Sequence, residues 1–180
     1  MSDNSPIEIL EERDLLTTWH FVVRRLRLRW SGQEITRDIE VHRGSAAVVA
    51  FDEHDRVALV RQFRIPVGRW TLELPTGGCE EGEQPAETAA RELTEEVGLV
   101  ADGLEPLVRF ANAPGHSTQW THVFVAASCT TVERTPVGVE EQDSQVVRLP
   151  LAEAVELVER GEILDAKSML GLLTAWRRFV

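Results

Sequence analysis

The segment from Pro85 to Val97 constrains this chain more than any other. It reads PAETAARELTEEV, a run of helix formers opened by a proline that suits a first helical turn and closed by Gly98, which can end a helix in a left-handed conformation. On such a helix Glu92, Glu95 and Glu96 stand at i, i+3 and i+4 and project from one face. Two like charges about 4 Å apart cost roughly 1 kcal/mol in water and several times that near a partly buried surface, so the cluster favours a cation. Carboxylate oxygens suit hard divalent ions, Mg2+ or Mn2+. Arg91 lies four residues before Glu95 and can pair with it, leaving Glu92 and Glu96 freer to bind metal. The plain alternative is a solvated acidic helix face.

The flanking sequence is mostly strand-like. Residues 23 to 30 alternate arginine and apolar side chains with a period of two, and Asp38 to His42 continues as a second strand. Two apolar runs, Ser45 to Phe51 and Val57 to Phe63, flank the polar Asp52-Glu53-His54-Asp55 and read as a hairpin of central strands. Trp70 to Leu74 is a further strand, broken by Pro75-Thr76-Gly77-Gly78. Leu104 to Phe110, Trp120 to Ala127 and Val146 to Leu149 are strands, and two helices close the chain, from about Leu151 to Arg160 and from about Asp165 to Arg178.

With 180 residues, 43% of them apolar, one domain with a full core is expected. The net charge of -11 argues against nucleic acid as a partner, because neutralising phosphates needs surplus Lys and Arg. A small phosphorylated substrate remains compatible if local carboxylates hold cations. Cys79 and Cys129 lack disulfide-framework or metal spacing. The acidic start and the lack of a long apolar run predict neither a secretory signal nor a membrane span, and a cytoplasmic location.

From Gly77 to Leu99 the chain reads GGCEEGEQPAETAARELTEEVGL, which resembles the Nudix box, G-x5-E-x7-R-E-U-x-E-E-x-G-U with U aliphatic; Gly77, Glu83, Arg91, Glu92, Leu93, Glu95, Glu96, Gly98 and Leu99 fill every specified place. The resemblance implies an α+β fold, an α/β/α sandwich with a mixed central sheet, extended here by an N-terminal antiparallel strand region. It implies that Glu92 and Glu96 are metal ligands and act in catalysis. Glu95 would be a further ligand or the partner of Arg91, Glu83 a brace or a water-mediated ligand, and Gly77 and Gly98 structural.

Arg61-Gln62-Phe63-Arg64, Glu73-Leu74-Pro75-Thr76-Gly77 and Gly161-Glu162-Ile163-Leu164-Asp165-Ala166 further resemble motifs of the ADP-ribose pyrophosphatase group. In that group the position of Thr76 gives its backbone carbonyl to metal, a glutamate on a loop before the last strand acts as base or orients water, and N-terminal strands exchange across a homodimer to sandwich the base. On that resemblance Glu141, among Glu140, Glu141 and Asp143, is favoured as the base. Arg64 is the choice for phosphate contact, since a guanidinium offers paired donors. Trp19, with Phe21 and Trp30, is the choice for base stacking, against a packing role. Gln119 replaces the group's glutamate and so bears on substrate identity. Arg24, Arg25, Arg27 and Arg29 are read mainly as a solvated strand face, and His20, His116 and His122 as ordinary side chains.

The sequence thus predicts residues 1–44 as a dimerisation and base-binding region and 45–180 as a Nudix hydrolase domain. The substrate is a nucleoside diphosphate linked to a further group, ADP-ribose first, yielding AMP and ribose 5-phosphate. Another nucleotide sugar such as GDP-mannose, or a dinucleoside polyphosphate, is the alternative within the same chemistry. A noncatalytic nucleotide-sensing domain is the alternative outside it.

Overall fold

The computed structural model describes residues 6–137 and 139–180, without the side chains of residues 139 and 140. The chain divides into two compact units, one of Met1–Gly44 with Ala111–Trp120 and one of Ser45–Phe110 with Thr121–Val180.

In the first unit β1 (Ile7–Thr17), β2 (Phe21–Trp30) and β3 (Gln33–His42) form an antiparallel meander. The arginines of β2 meet carboxylates on both neighbours: Arg24 with Glu12 and Asp14, Arg25 with Asp38, Arg27 with Glu11 and Glu34, Arg29 with Glu8 and Glu34. The alternation in residues 23 to 30 is therefore real, Leu28 being buried and its arginine neighbours exposed. β1 escapes sequence reading because its acids become legible as a strand only beside those arginines.

The second unit is a mixed α+β sandwich. β4 (Ser45–Ala50) pairs antiparallel with β7 (Thr76–Gly78) and parallel with β10 (Trp120–Ala126), which neighbours β9 (Glu105–Ala111). A separate antiparallel sheet has the order β12 (Gln145–Pro150), β5 (Arg56–Arg64), β6 (Arg69–Glu73). The short strands β8 (Leu99–Ala101) and β11 (Cys129–Thr131) pair with each other. The expected hairpin of β4 with β5 is corrected here. A turn closes at Asp52–Arg56 and Phe51 bridges Val57, but beyond that single bridge the strands enter different sheets. β4 is buried throughout and β5 from Val57 to Val60, and a wholly apolar stretch carries no pattern that names its neighbour.

Successive β4 residues face opposite cores. Ala47 and Val49 pack with residues of α3 (Leu151–Glu159) and α4 (Ala166–Phe179), among them Val155, Leu172 and Ala175. Ala46, Val48 and Ala50 pack with Ala89, Leu93 and Val97 of the helix Pro85–Val97, here α1 when helices are counted along the chain, and α2 is the single turn Val139–Gln142. Helices on both faces of the sheet make the sandwich that the sequence predicts.

Candidate active site

α1 begins at Pro85, where Glu87 accepts a hydrogen bond from the Gln84 amide (2.8 Å), and ends at Gly98, whose φ of 64° is left-handed. Its buried face carries Ala89, Leu93 and Val97 into the core and, along the same face, Glu92 and Glu96. Charged side chains are rarely so buried unless they are paired or bind a cation.

Glu96 accepts a hydrogen bond from the Thr76 amide at 2.7 Å. Burial pushes its carboxyl up to about 8, aided by the charges of Glu92 and Glu141 and opposed by the Thr76 amide and Arg64. Burial likewise raises Glu92, with Arg91 opposing and Glu95 and Glu141 adding to the rise. The Glu92 carboxylate lies over Gly77, where an added Cβ would fall 1.7 Å from Oε1 and 2.0 Å from Cδ. A glycine is required there to make room for the carboxylate.

Arg91 gathers three acids. Its Nε and Nη2 meet both oxygens of Glu83 (3.0 and 3.2 Å), and its Nη1 meets Glu92 Oε1 (2.6 Å) and Glu95 Oε2 (3.1 Å). Pairing with Glu95 is as the sequence predicts, but the expectation that it leaves Glu92 freer is corrected, because Arg91 also meets Glu92. Glu92 adjoins Arg91 in sequence, and one guanidinium nitrogen reaches both carboxylates. Glu83 also accepts from the Glu80 amide and the Thr88 hydroxyl, and hydrogen bonds from Arg91 hold its carboxyl at about 2 despite some burial.

Glu141 sits in α2, half-buried, and its Oε2 accepts from the Val137 amide at 2.7 Å. Its charge bears on both Glu92 and Glu96. Asp143 is exposed, and the side chain of Glu140 lies outside the described residues. Arg64 forks onto Glu73 through Nε and Nη2 (2.9 and 2.8 Å), while its charge lowers the carboxyl of Glu96. Trp19 and Gln119 belong to the first unit. Trp19 is 88% exposed with its ring in tilted contact with that of His20, and Gln119 is half-buried, its backbone amide donating to Ser117 Oγ and its backbone carbonyl accepting from the Asn112 amide.

Sequence reading missed a buried polar cluster. Glu73 takes Arg64, Thr71 and Lys167; Lys167 also meets Asp165; and Ser168 Oγ accepts from the Leu74 amide at 2.8 Å. These contacts tie the N-terminal end of α4 to the strand end leading to Thr76. The available signal was a glutamate in the apolar stretch Trp70 to Leu74, where a charge needs a partner.

Among the described residues no three His, Cys, Asp or Glu side chains form a ready ligand set. The donors nevertheless fit a hard divalent ion of the magnesium type, which usually takes one or two carboxylates and fills its remaining positions with water and phosphate. Glu92 and Glu96 are buried oxygen donors whose ionised forms are disfavoured by burial and by neighbouring carboxylates, Glu92 and Glu141 acting on Glu96 and Glu95 and Glu141 on Glu92, a condition that a cation relieves.

The model of the NUDIX domain family matches residues 41–170. An ADP-ribose pyrophosphatase of Mycobacterium tuberculosis (strain ATCC 25618 / H37Rv) is 39% identical over 168 residues, 92% of this chain and 81% of the relative. A GDP-mannose pyrophosphatase of Enterobacter sp. (strain 638) is 29% identical over 179 residues, 91% of this chain and 92% of the relative. A crystal structure described as an ADP compounds hydrolase superposes with a TM-score of 0.76 at 26% identity, covering 96% of this chain and 93% of that one.

Proposed function

This chain belongs to the NUDIX family, and on that premise we propose that it is a divalent-metal-dependent hydrolase cleaving ADP-ribose to AMP and ribose 5-phosphate. The observation that carries the reading is the pair Glu92 and Glu96, buried on one face of α1 with the charge of Glu141 acting on both. Mg2+ or Mn2+, when bound, would neutralise phosphate oxygens and lower the cost of charge build-up at phosphorus.

Glu92 and Glu96, with Glu95 and the Thr76 carbonyl as further donors, are the residues that would hold the cation. Gly77 leaves space for the Glu92 carboxylate, the Thr76 amide orients Glu96, and Arg91 with Glu83 fixes the loop before the helix. Glu141 serves as the base that takes the proton of the attacking water. Arg64 contributes positive charge toward phosphate from a guanidinium held in place by Glu73.

Trp19 as a base-stacking residue, Gln119 as a substrate contact, residues 1–44 as a dimerisation and base-binding region beside a hydrolase domain of residues 45–180, and a homodimer rest on the family resemblance, and a cytoplasmic setting on the lack of a long apolar run in the sequence. Among the described residues, no helix is long and apolar enough to cross a membrane. A second reading, hydrolysis of a GDP-mannose-like nucleotide sugar, is favoured by Gln119 and by the GDP-mannose pyrophosphatase similarity. Incubating the full chain with Mg2+ and, in turn, ADP-ribose, GDP-mannose and a diadenosine polyphosphate separates them. Release of AMP and ribose 5-phosphate with the highest kcat/KM supports ADP-ribose, and faster turnover of another compound overturns it.

A further inference from the structure

The chain that follows β11 crosses the end of α1 at close range. The Val132 amide donates to the Gly98 carbonyl (2.9 Å), and a Cβ added at Gly98 would lie 2.7 Å from the Val132 carbonyl oxygen and 3.3 Å from the Arg134 nitrogen. Arg134, anchored at that crossing, turns its guanidinium onto the segment carrying Glu141. Its Nη1 donates to the Ser144 carbonyl (3.1 Å), and its Nη2 donates to the Glu141 carbonyl (2.8 Å) and to Ser144 Oγ. The same Glu141 carbonyl accepts from Ser144 Oγ (2.7 Å) and from the Ser144 amide (3.1 Å). One carbonyl thus collects three donors.

α2 is a single turn of four residues, too short to hold its shape by its own hydrogen bonds. Its order must come from outside, and the two acceptors of the Arg134 fork lie three residues apart, at the two ends of the turn Glu141–Ser144. Arg134 Nε is buried with no partner among the described residues, so its guanidinium is oriented through Nη1 and Nη2, by those two carbonyls and Ser144 Oγ. A lysine could satisfy one of the carbonyls but not span both, because its ammonium is a single point of donation.

We propose that Arg134 is a positioning residue whose guanidinium clamps the Glu141–Ser144 turn to the Gly98 end of α1 and so fixes where Glu141 stands relative to Glu92 and Glu96. The assignment of Glu141 as base belongs to the function proposed above, and the inference rests on that reading for its effect on rate but not for the clamp itself. Arg134 has no place in ligation or proton transfer; its influence passes through the backbone of Glu141.

Hydrogen exchange and kinetics on the full chain test the two parts. In Arg134→Met the Ser144 amide should lose at least tenfold of its protection while the α1 amides keep theirs; unchanged protection overturns the clamp whatever the activity does. With ADP-ribose and Mg2+, kcat should fall about ten- to a hundredfold, as for a catalytic group displaced by an ångström or so. KM and Mn2+ affinity should stay within about twofold, and Arg134→Lys should recover only part of the rate. The double variant Arg134→Met/Glu141→Gln should be no slower than Glu141→Gln, and a further loss by the full Arg134→Met factor overturns action through Glu141. If Glu141→Gln alone turns over normally, the base assignment falls, and the Ser144 exchange still decides the clamp. Should Arg134→Met not fold, Ser144→Ala removes one donor from the Glu141 carbonyl and should lower kcat in the same direction by less; no change in kcat, where Glu141→Gln itself is slow, would overturn action through Glu141.

Discussion

Replacing Gly77 by alanine should disable the site while leaving most of the fold intact. The new Cβ would stand 1.7 Å from Glu92 Oε1, so the carboxylate must retreat by about 1.7 Å to regain ordinary contact near 3.4 Å. Gly77 does not have a left-handed φ, so alanine meets no backbone strain there. The atoms in the way are the end of a flexible side chain. What is lost is the Arg91–Glu92 hydrogen bond of 2.6 Å, for which charged pairs suggest about 1.5–3 kcal/mol, partly offset by about 0.4–1 kcal/mol from a less flexible unfolded chain. A net loss of about 0.5–2.6 kcal/mol lowers Tm by about 1–10 °C in a chain of this size. The functional loss is larger. Metal–ligand distances tolerate only about 0.2 Å, and a misplacement of about 1 Å can cost about a hundredfold in rate. Thermal unfolding, Mn2+ titration and ADP-ribose turnover on the same preparation should show a modest Tm change beside at least a hundredfold loss in kcat/KM. Wild-type Mn2+ affinity and turnover in Gly77→Ala would refute the role given to Glu92 over that glycine.

Gly98→Ala should behave in the opposite way, because its left-handed φ costs about 1–2 kcal/mol for alanine and the obstructing Val132 carbonyl is backbone; a Tm unchanged in calorimetry would contradict this. Glu96 has a folded-state carboxyl raised to about 8 from 4.5, so between those values the unfolded chain ionises while the folded one resists. The metal-free protein should therefore lose stability as pH rises from about 4.5 to 8, and Glu96→Gln should flatten that slope in urea titrations. Glu73 is the reverse case. Burial opposes its ionisation, but Arg64 and Lys167 overcome this and hold it at about 2, so its contribution is complete above about 4.5 and is lost as pH falls toward 2. Lys167→Met should weaken that acid-side dependence, and an identical acid limb in both proteins would argue against the pairing.

Legibility followed the range over which each interaction acts. The bounds of α1 could be read to the residue because Pro85 and Gly98 are signals within the element, and the carboxylate face followed from helical spacing. The partners of β4 could not be read, since its pairing with β10 joins residues such as Ala46 and His122 that are far apart in sequence. Charged groups were legible where the pairing is local, as for Arg91 and Glu95, and illegible where folding brings distant residues together. Arg64 looked like a free cation for phosphate because nothing in its own strand announces Glu73, and Lys167 joins that acid from another helix. Arg134 carried no motif at all; only the crossing over Gly98 gives it a role.

Titrating Mn2+ into the full chain and into Glu96→Gln, at pH 7.5 and with both proteins shown to be folded, tests the central claim most directly. The account predicts saturable binding by the parent chain, weakened at least tenfold in the variant, with ADP-ribose hydrolysis lost in step. Equal Mn2+ affinity in the two proteins, or hydrolysis that persists in excess chelator, would contradict it.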